Sequence, residues 1–461
     1  MDPNRTFFVT LTSIEKHRKI IEQMFYYLRC DMIDYSKCPL RYILCIDVKS
    51  FFASVEACRR GLDPLEAYIV VISDMKRPGA VVLASSPKMK QEFDIRTGNR
   101  KFEVPHDPKI QLVEPSMQLY IQINRQIHRI FQDYAADDDI LTYSIDESFI
   151  DVTETAHLFG TPWQIGEIIK QRIQDEVGLP VAIGIGDNPL LAKLAMDNCA
   201  KKRPEQMAYW GYKHVPETVW QIKRLTDFWG ISHGYARKFQ AMGIYSIYDL
   251  AHADPDILEK RFGILGLQHY YHANGVDYSI LSQRVPVKSK GFSKSQVLFR
   301  DYTLESEIRI VMTEMIESVA SRLRHHEMVC QSIHLYVGFS DKESHGGIAK
   351  SKRLSRPSQA TDDLVKAFLD LFNKAWKGEA VRTIHISCND MIDDHYEQLD
   401  LWHLGERTSA QRIDRALDLI RDKFGNSVIY RGNTLMDGST FFERNKKVGG
   451  HKAFSEVENE N

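Results

Sequence analysis

Residues 42–56 read Tyr-Ile-Leu-Cys-Ile-Asp-Val-Lys-Ser-Phe-Phe-Ala-Ser-Val-Glu, and residues 143–149 read Tyr-Ser-Ile-Asp-Glu-Ser-Phe. In both regions an apolar run with β-branched members predicts a buried strand. Each run ends at a carboxylate: Asp47 in the first case, Asp146 and Glu147 in the second. Buried carboxylates need a partner or a function, so we expect the two acidic strand ends to lie side by side.

Three carboxylates at adjacent strand ends predict a site for phosphoryl transfer. Two hard Mg²⁺ ions can bridge the attacking and leaving oxygens, and such ions prefer a few carboxylates together with phosphate oxygens. Asp47, Asp146 and Glu147 supply these carboxylates. The alternative is that each one caps a turn or pairs with a lysine. The length and specificity of the two strings weaken that alternative.

The composition is that of a globular protein able to bury a core. The chain has 461 residues, 43% hydrophobic and 26% charged, which predicts about three domains and excludes disordered and collagen-like chains. The formal charge is -2, so any affinity for nucleic acid must come from local patches. Seven scattered cysteines without a Cys-x-x-Cys pair argue against a zinc site or a disulfide framework. Without an apolar run of membrane-spanning length, we expect a cytoplasmic protein with no membrane contact.

Strands and helices alternate in the first half of the chain. Residues 140–145 and 149–152 form either a hairpin or one interrupted strand, and 179–185 form another strand. Helices are predicted at 118–134 and 189–201, which suggests an α+β sheet covered on one side. A further helix of unknown role is predicted near the N-terminus, at 14–29.

The second half contains two further regions. Residues 209–277 combine short helices with glycines and predict a small helical domain. The polar stretch 285–290 is a plausible linker, and 291–388 alternate strands and helices as a second α+β domain. Residues 396–461 hold one amphipathic helix and a charged end that we expect to fray. The apolar face of that helix comprises Ile413, Leu417, Ile420 and Phe424.

At the two strings quoted above, the chain resembles the Y-family translesion DNA polymerases, most of all their UmuC-type branch. The resemblance covers about residues 41–400 and implies an α+β multidomain, right-hand polymerase with palm, fingers, helical thumb and α+β little finger domain. The expected parts are an N-terminal extension (1–40), palm (41–52 and 118–209), fingers (53–117), thumb (210–283), linker (284–290), little finger (291–395) and a C-terminal tail (396–461).

The resemblance also implies the catalytic residues. Asp47, Asp146 and Glu147 match the family's ligands for two Mg²⁺ ions, and the Val48 carbonyl is the expected backbone ligand. Lys49 stands where many members carry Asp or Asn and cannot bind a metal. Three carboxylates therefore remain as candidate metal ligands.

Phe52 matches the bulky aromatic residue that lies under the incoming sugar. A ring there leaves no space for a 2′-hydroxyl group, so deoxynucleotides are selected. Phe51 and Phe52 are both candidates for nucleotide contact, although both rings could instead belong to the core, an alternative that is stronger for Phe51.

Basic and hydroxyl side chains are candidates for binding the triphosphate. In the fingers, where relatives often carry Tyr and Arg, the chain offers Ser85, Ser86 and Lys90, with Lys90 as the preferred triphosphate contact. Lys201 matches the lysine that relatives direct at the triphosphate. The alternative for Lys201 is a solvated charge run with the two basic residues that follow it.

Residues 228–244 predict a helix-hairpin-helix in the thumb. Its glycines would let backbone N–H groups approach a DNA phosphate. The candidate contacts are Gly230, Ser232 and Gly243, with Ser232 replacing the second glycine of the usual hairpin. Glycine turns between helices are common, which is the alternative.

Basic residues on or beside the strands of the second α+β domain are candidate contacts to the DNA backbone. Solvated lysines at a sheet edge are the alternative. The candidates are Lys288, Lys290, Lys294, Arg300, Lys350, Lys352, Arg353 and Arg356.

Residues 398–402 read Gln-Leu-Asp-Leu-Trp and resemble the peptide by which bacterial polymerases bind the sliding clamp. Gln398, Leu399, Leu401 and Trp402 would fill a pocket from a flexible tail. Matches of this length also arise by chance, but the position after the last strand favours the clamp.

The resemblance as a whole implies template-directed, low-fidelity translesion synthesis in an SOS-type response. The partners would be primer–template DNA, dNTPs and the sliding clamp, while the need for a UmuD-like accessory protein is left open. One alternative is another two-metal enzyme on a palm-like sheet, such as a nucleotide cyclase. The other is a catalytically silent, polymerase-derived protein that binds or scaffolds DNA.

Overall fold

The computed structural model describes residues 33–283, 291–340, 346–394 and 404–454, with only the helical backbone for 404–410. The chain divides into two compact units, which are Met1–Val113 with Tyr120–Arg284 and Glu114–Leu119 with Val285–Asn461. Within the described ranges, no helix is both long enough and apolar enough to cross a membrane.

Several predicted features lie outside the described residues. They are the helix at 14–29, the linker with Lys288 and Lys290, and the clamp peptide with Gln398, Leu399, Leu401 and Trp402.

The first unit contains eight strands and ten α-helices in its described residues. The strands are β1 (Ile43–Val48), β2 (Ile69–Ile72), β3 (Val82–Ser85), β4 (Gln111–Val113), β5 (Ile140–Thr142), β6 (Glu147–Asp151), β7 (Val181–Gly186) and β8 (Met207–Trp210). The helices are α1 (Phe51–Arg59), α2 (Pro87–Glu92), α3 (Met117–Gln132), α4 (Ala156–Phe159), α5 (Pro162–Val177), α6 (Pro189–Asn198), α7 (His233–Gln240), α8 (Ile247–Ala251), α9 (Pro255–Phe262) and α10 (Ile264–Ala273). Short 3₁₀ helices occupy Tyr35–Lys37, Lys101–Glu103, Asp137–Asp139, Ala200–Lys202, Tyr212–His214, Val219–Gln221 and Leu225–Asp227.

A five-stranded sheet in the order β5-β6-β1-β7-β8 forms the centre of the first unit. Strand β1 pairs antiparallel with both β6 and β7, and β5 with β6 forms the hairpin that was one of the two sequence-based options. In this register Asp47 lies directly opposite Glu147. Residues of one strand that are two apart point to the same face, so Cys45 and Asp47 share a face.

Helices cover both faces of this sheet, so the expectation of one covered side was wrong. Gly166 of α5 lies against Leu44, Ile185 and Met207 on one face. On the opposite face, a Cβ atom at Gly184 would lie 2.1 Å from the Ala192 carbonyl oxygen of α6. A Cβ at Gly186 would lie 2.3 Å from the Ala192 nitrogen. Only glycine allows α6 to lie this close to β7.

A second sheet has three strands in the order β3-β2-β4, and helices α1 and α2 pack against it. This sheet corresponds to the predicted fingers. The helices α7 to α10 form the predicted small helical domain. Its core includes Phe228, Phe239, Leu250 and Leu258, all buried. The predicted helix at 189–201 is shorter, because α6 ends at Asn198 and a 3₁₀ turn follows.

The second unit contains the strands β9 (Phe292–Tyr302), β10 (Met328–Phe339), β11 (Gly347–Ser358), β12 (Val381–Asp393), β13 (Lys447–Val448) and β14 (His451–Lys452). Its helices are α11 (Glu305–His325), α12 (Thr361–Ala375), α13 (Leu404–Phe424) and α14 (Phe441–Asn445), with a 3₁₀ turn at Gly432–Leu435. A four-stranded sheet in the order β11-β10-β12-β9 packs one face against α11 and α12. This is the predicted second α+β domain, with β11 as a strand that the sequence pattern did not reveal.

Helix α13 docks through charge rather than through its apolar residues. Arg324 of α11 pairs with Asp414 at 3.2 Å and also with Asp418, and all three side chains are buried. Ile413 and Phe424 of the predicted apolar face are exposed instead. Farther along, Arg444 pairs with the buried Glu314 at 3.1 Å, so the expectation of a frayed end was wrong for the residues up to 454.

Candidate active site

Asp47 and Glu147 lie side by side because β1 and β6 pair antiparallel with these residues opposite each other. Asp146 occupies the turn that leads into β6, where its carbonyl oxygen accepts a 2.9 Å hydrogen bond from the Val48 N–H. Asn124 of α3 donates at 2.9 Å to the Ile145 carbonyl oxygen and holds the same turn. The expectation that the two acidic strand ends lie together is confirmed.

Two lysines from the α6 region connect the carboxylates in a continuous chain of ion pairs. The Lys193 ammonium lies 2.8 Å from Glu147 Oε2 and 2.9 Å from Asp197 Oδ2. The Lys201 ammonium lies 3.0 Å from Asp197 Oδ1 and 3.1 Å from Asp47 Oδ2. The order along the chain is therefore Glu147, Lys193, Asp197, Lys201 and Asp47.

Burial and these ion pairs have opposite effects on each pKa of the site. Burial raises the pKa of Asp47 to about 6, although Lys201 opposes the rise. Burial disfavours the charged form of Lys201, but Asp47 and Asp197 outweigh it and raise its pKa. The pKa of Lys193 is also raised, because Glu147 and its neighbours outweigh burial. Both lysines are therefore firmly charged counter-ions.

Two further carboxylate oxygens of the site also have partners. The Cys45 thiol donates to Glu147 Oε1 at 3.4 Å, and Ser144 donates to Asp146 Oδ1. Among the described residues, no three His, Cys, Asp or Glu side chains converge as a ready-made metal cluster. The donor chemistry of three neighbouring carboxylates nevertheless fits a hard divalent ion. Such an ion would have to exchange with the lysine contacts.

Phe52 lies beside these strand ends, at the start of α1. Its half-buried ring stacks on Tyr120 with the ring centroids 4.3 Å apart. The Tyr120 hydroxyl donates at 2.9 Å to the buried Glu56, which fixes the tyrosine below Phe52. Phe51 is only 3% exposed and belongs to the core, so its assignment to nucleotide binding was wrong.

The fingers place only one of their three candidates near the carboxylates. The Ser85 and Ser86 side chains are fully buried and donate to the Ile95 and Ala67 carbonyl oxygens. Their assignment to nucleotide binding was wrong, because these hydroxyl groups hold the fingers backbone. The Lys90 ammonium donates to Ser50 Oγ at 2.8 Å, and burial lowers its pKa.

The thumb residues selected from the sequence flank helix α7. Gly230 has φ +92° and Gly243 has φ +81°, so both turns use a left-handed conformation that favours glycine. Ser232 is the exposed N-cap residue of α7.

Comparisons with known proteins agree along the length of the chain. A model of the impB/mucB/samB family matches residues 46–197, and the model of its C-terminal domain matches residues 289–401. A protein named "Putative UV-damage repair protein UvrX" from Bacillus subtilis is 40% identical over 92% of this chain and 100% of that protein. "DNA polymerase IV 2" from Halalkalibacterium halodurans is 30% identical over 89% of this chain and 99% of that protein.

The chain belongs to the impB/mucB/samB family of Y-family translesion DNA polymerases. A solved Y-family polymerase chimera, Dbh-Dpo4(243-245)-Dbh, has the same fold with a TM-score of 0.62 at 20% identity, covering 76% of this chain and 99% of that chain. The predicted family, right-hand fold and enzyme class, a DNA-directed DNA polymerase, are confirmed. The UmuC-like branch and the domain boundaries stay predictions.

The basic residues of this Y-family polymerase's little finger lie on two different faces of the sheet. Lys294 donates to Ser318 of α11 at 2.7 Å, and Lys352 pairs with Asp370 of α12 at 3.0 Å. Lys350 shares their face, because it lies opposite the buried Leu335. All three lysines therefore lie on the helix-side face of the sheet, a distinction between faces that the sequence pattern did not give.

The open face of the little finger sheet carries Arg353 and mostly neutral polar groups. Arg353 lies opposite Ser332, and His334 lies opposite Ser351, whose hydroxyl is 2.9 Å from His334 Nδ1. The His334 and His385 rings lie 6.3 Å apart on this face. We define the open face by these residues together with Tyr336 and Thr383 on the same side of β10 and β12.

Sequence reasoning missed Lys193, Asp197 and Cys45 in the site of the polymerase. The signal was present, because Lys193, Asp197 and Lys201 are spaced four residues apart, as neighbours on one helical face are. The histidines of the open face were missed because, unlike lysine and arginine, histidine is mostly uncharged at neutral pH and does not mark a basic patch.

Proposed function

We propose that this polymerase carries out template-directed, low-fidelity DNA synthesis across damaged template positions. The primer 3′-hydroxyl attacks the α-phosphate of a dNTP, and pyrophosphate leaves. The observation that carries the proposal is the placement of Asp47 opposite Glu147, with Asp146 in the adjoining turn and two charged lysines beside them. The acidic groups are thus available for metal ions, and the basic groups are available for phosphates.

Asp47, Asp146, Glu147 and the Val48 carbonyl are the groups that would hold two Mg²⁺ ions. When bound, such ions would lower the pKa of the attacking hydroxyl and stabilise the negative charge on the oxygens of the transferring phosphoryl group. Burial makes the site effective, since electrostatic interactions are stronger away from bulk water.

Lys201 and Lys90 supply positive charge for the triphosphate. Lys201 is partly exposed beside Asp47, and Lys90 projects from the fingers to Ser50 at the start of α1. A compact ammonium suits a phosphate whose charge moves during the reaction. Phe52, fixed by its stack on Tyr120, would exclude the ribose 2′-hydroxyl.

DNA binding would use the thumb turns and the open face. Exposed Ser232 lies at the start of α7, where N–H groups of the first helical turn can bind a phosphate. The Gly243 N–H is already used, because it donates to the Gln240 carbonyl oxygen at 3.0 Å. On the little finger, Arg353, His334 and Tyr336 offer donors to the DNA backbone. This is a less basic surface than the sequence suggested.

The cellular role extends the proposal beyond the site. We place the enzyme in the cytoplasm, in an SOS-type response to DNA damage. The peptide with Gln398, Leu399, Leu401 and Trp402 would bind the sliding clamp, and a UmuD-like accessory protein is a second candidate partner.

The alternative is a catalytically silent polymerase that scaffolds DNA. Retention of all three carboxylates and of the lysines beside them argues against it. Such a protein would bind primer–template without extending it.

Primer extension on undamaged and abasic templates tests the proposal. The wild type should add dNTPs in the presence of Mg²⁺, whereas Glu147→Gln should abolish addition while keeping DNA binding. Asp151→Asn, at the far end of the same strand, is the matched control and should extend normally. Tight DNA binding with no extension by the wild type, with clamp present, would favour the scaffolding alternative.

A further inference from the structure

Helix α6 and the turn after it present three charged residues on one side. Lys193, Asp197 and Lys201 are spaced four residues apart, and both lysines contact the Asp197 carboxylate. Asp197 contacts the two lysines through different oxygens, Oδ2 and Oδ1. It therefore joins the counter-ion of Glu147 to the counter-ion of Asp47.

The two lysines differ in their freedom to move. The Lys193 side chain is 8% exposed and is enclosed by the sheet and the helix. The Lys201 side chain is 34% exposed and reaches Asp47 from the solvent side. Lys193 is thus a fixed partner, whereas Lys201 can change partner at little steric cost.

We propose that Asp197 is a positioning residue that holds Lys201 when a divalent ion takes over Asp47. This inference rests on the proposed function. An ion at Asp47 repels the Lys201 ammonium, and Asp197, already 3.0 Å away, keeps that ammonium at the site. Lys201 then stays within reach of a bound triphosphate instead of drifting into solvent.

Without the charge of Asp197, Lys201 has Asp47 as its remaining carboxylate partner among the contacts above. The Lys201–Asp47 pair would tighten, since a competing attraction of similar length is removed. A divalent ion must then displace a more strongly held ammonium. The predicted result is weaker metal binding, although neither Asp197 oxygen need touch the metal.

Binding of Mn²⁺ to the full-length protein, measured by electron paramagnetic resonance without DNA or dNTP, tests this directly. Asp197→Asn should weaken Mn²⁺ binding by about threefold to fivefold, the upper part of the range expected for a partly exposed ion pair. Asp370→Asn is the matched control. Asp370 also bridges two lysines, Lys352 and Lys374, but on α12 of the other unit. Mn²⁺ binding should be unchanged in this control.

A double variant separates the proposed route from a general charge effect. In the Lys201→Gln background, Asp197→Asn should change Mn²⁺ binding by less than about twofold, because the lysine through which it acts is gone. A loss that persists in that background would overturn the proposal, and so would an Asp197→Asn variant that binds Mn²⁺ as the wild type does.

Primer extension distinguishes this inference from the proposed function. The Asp197→Asn variant should need more Mg²⁺ for half-maximal rate and show a higher KM for dNTP, with kcat largely kept at saturation. Absence of extension by the wild type would defeat the proposed function itself. Normal wild-type extension together with an unchanged Mg²⁺ requirement in Asp197→Asn would defeat only the inference about Asp197. Thermal unfolding within a few degrees of the wild type confirms that the variant is folded.

Discussion

Replacement of Lys193 by methionine tests the central electrostatic feature of the site. Methionine keeps most of the apolar stem but removes the ammonium that pairs with Glu147 at 2.8 Å. Glu147 would be left with the weakly polar Cys45 thiol at 3.4 Å as its remaining side-chain contact among those described. A buried carboxylate without a counter-ion is strongly unfavourable.

The expected magnitude follows from burial. Both side chains of the pair are 8% exposed, and removal of one partner from a buried ion pair costs about 3–5 kcal/mol. The contact to Asp197 adds little, because that carboxylate is 34% exposed and partly solvated. We therefore expect Lys193→Met to lower the free energy of unfolding of the first unit by about 3 kcal/mol.

Urea unfolding in EDTA, followed by tryptophan fluorescence, measures this loss. The double variant Glu147→Gln/Lys193→Met removes both charges and should regain most of the stability, ending within about 1 kcal/mol of the wild type. Lys170→Met on α5 is the control, since the Lys170 ammonium makes only a solvent-exposed hydrogen bond to the Glu205 carbonyl oxygen, and the change should alter stability by less than about 0.5 kcal/mol. A Lys193→Met protein as stable as the wild type, or a double variant no more stable than the single one, would refute the reasoning.

Three further predictions concern the sugar, the thumb and the little finger. Phe52→Ala should raise ribonucleotide incorporation at least about tenfold, while Phe52→Tyr keeps discrimination; equal discrimination by all three proteins would contradict the steric role. Burial lowers the pKa of His269 to about 4, so the folded thumb keeps a neutral imidazole while the unfolded chain gains a proton below about 6.5. Relative to His269→Phe, the wild type should therefore lose about 2 kcal/mol of stability between pH 7 and pH 5, and parallel pH profiles would count against this. Arg353→Ala should reduce the slope of log DNA affinity against log salt by about 1, whereas Lys352→Ala, held by Asp370, should not; the reverse order would show that the wrong face was chosen.

Much of the fold could be predicted because its signals are local. The strand before Asp47, the hairpin option before Glu147 and the alternation of strands and helices in residues 291–388 all follow from periodicity over neighbouring residues. Proximity of Asp47 and Glu147 followed from their positions at strand ends. Such positions are defined by where apolar runs stop.

The errors concern relations that depend on register and tertiary contacts. Which face Lys294 and Lys352 occupy depends on pairing with β12 and β10, and a shift of one residue would reverse it. Ser85 looked available for a nucleotide, yet its hydroxyl binds a carbonyl ten positions away. Lys193 was missed because its partner Glu147 is 46 positions distant in the sequence.

The two glycines of β7 have a consequence for how this enzyme can fail. Gly184 and Gly186 set how deeply α6 sits on the sheet, and α6 carries Lys193 to its place. A mutagenesis screen scored for loss of activity should therefore recover substitutions at both positions, although neither glycine contacts a carboxylate. The absence of a Cβ atom at these two positions is therefore as necessary for activity as the charged side chains that α6 carries.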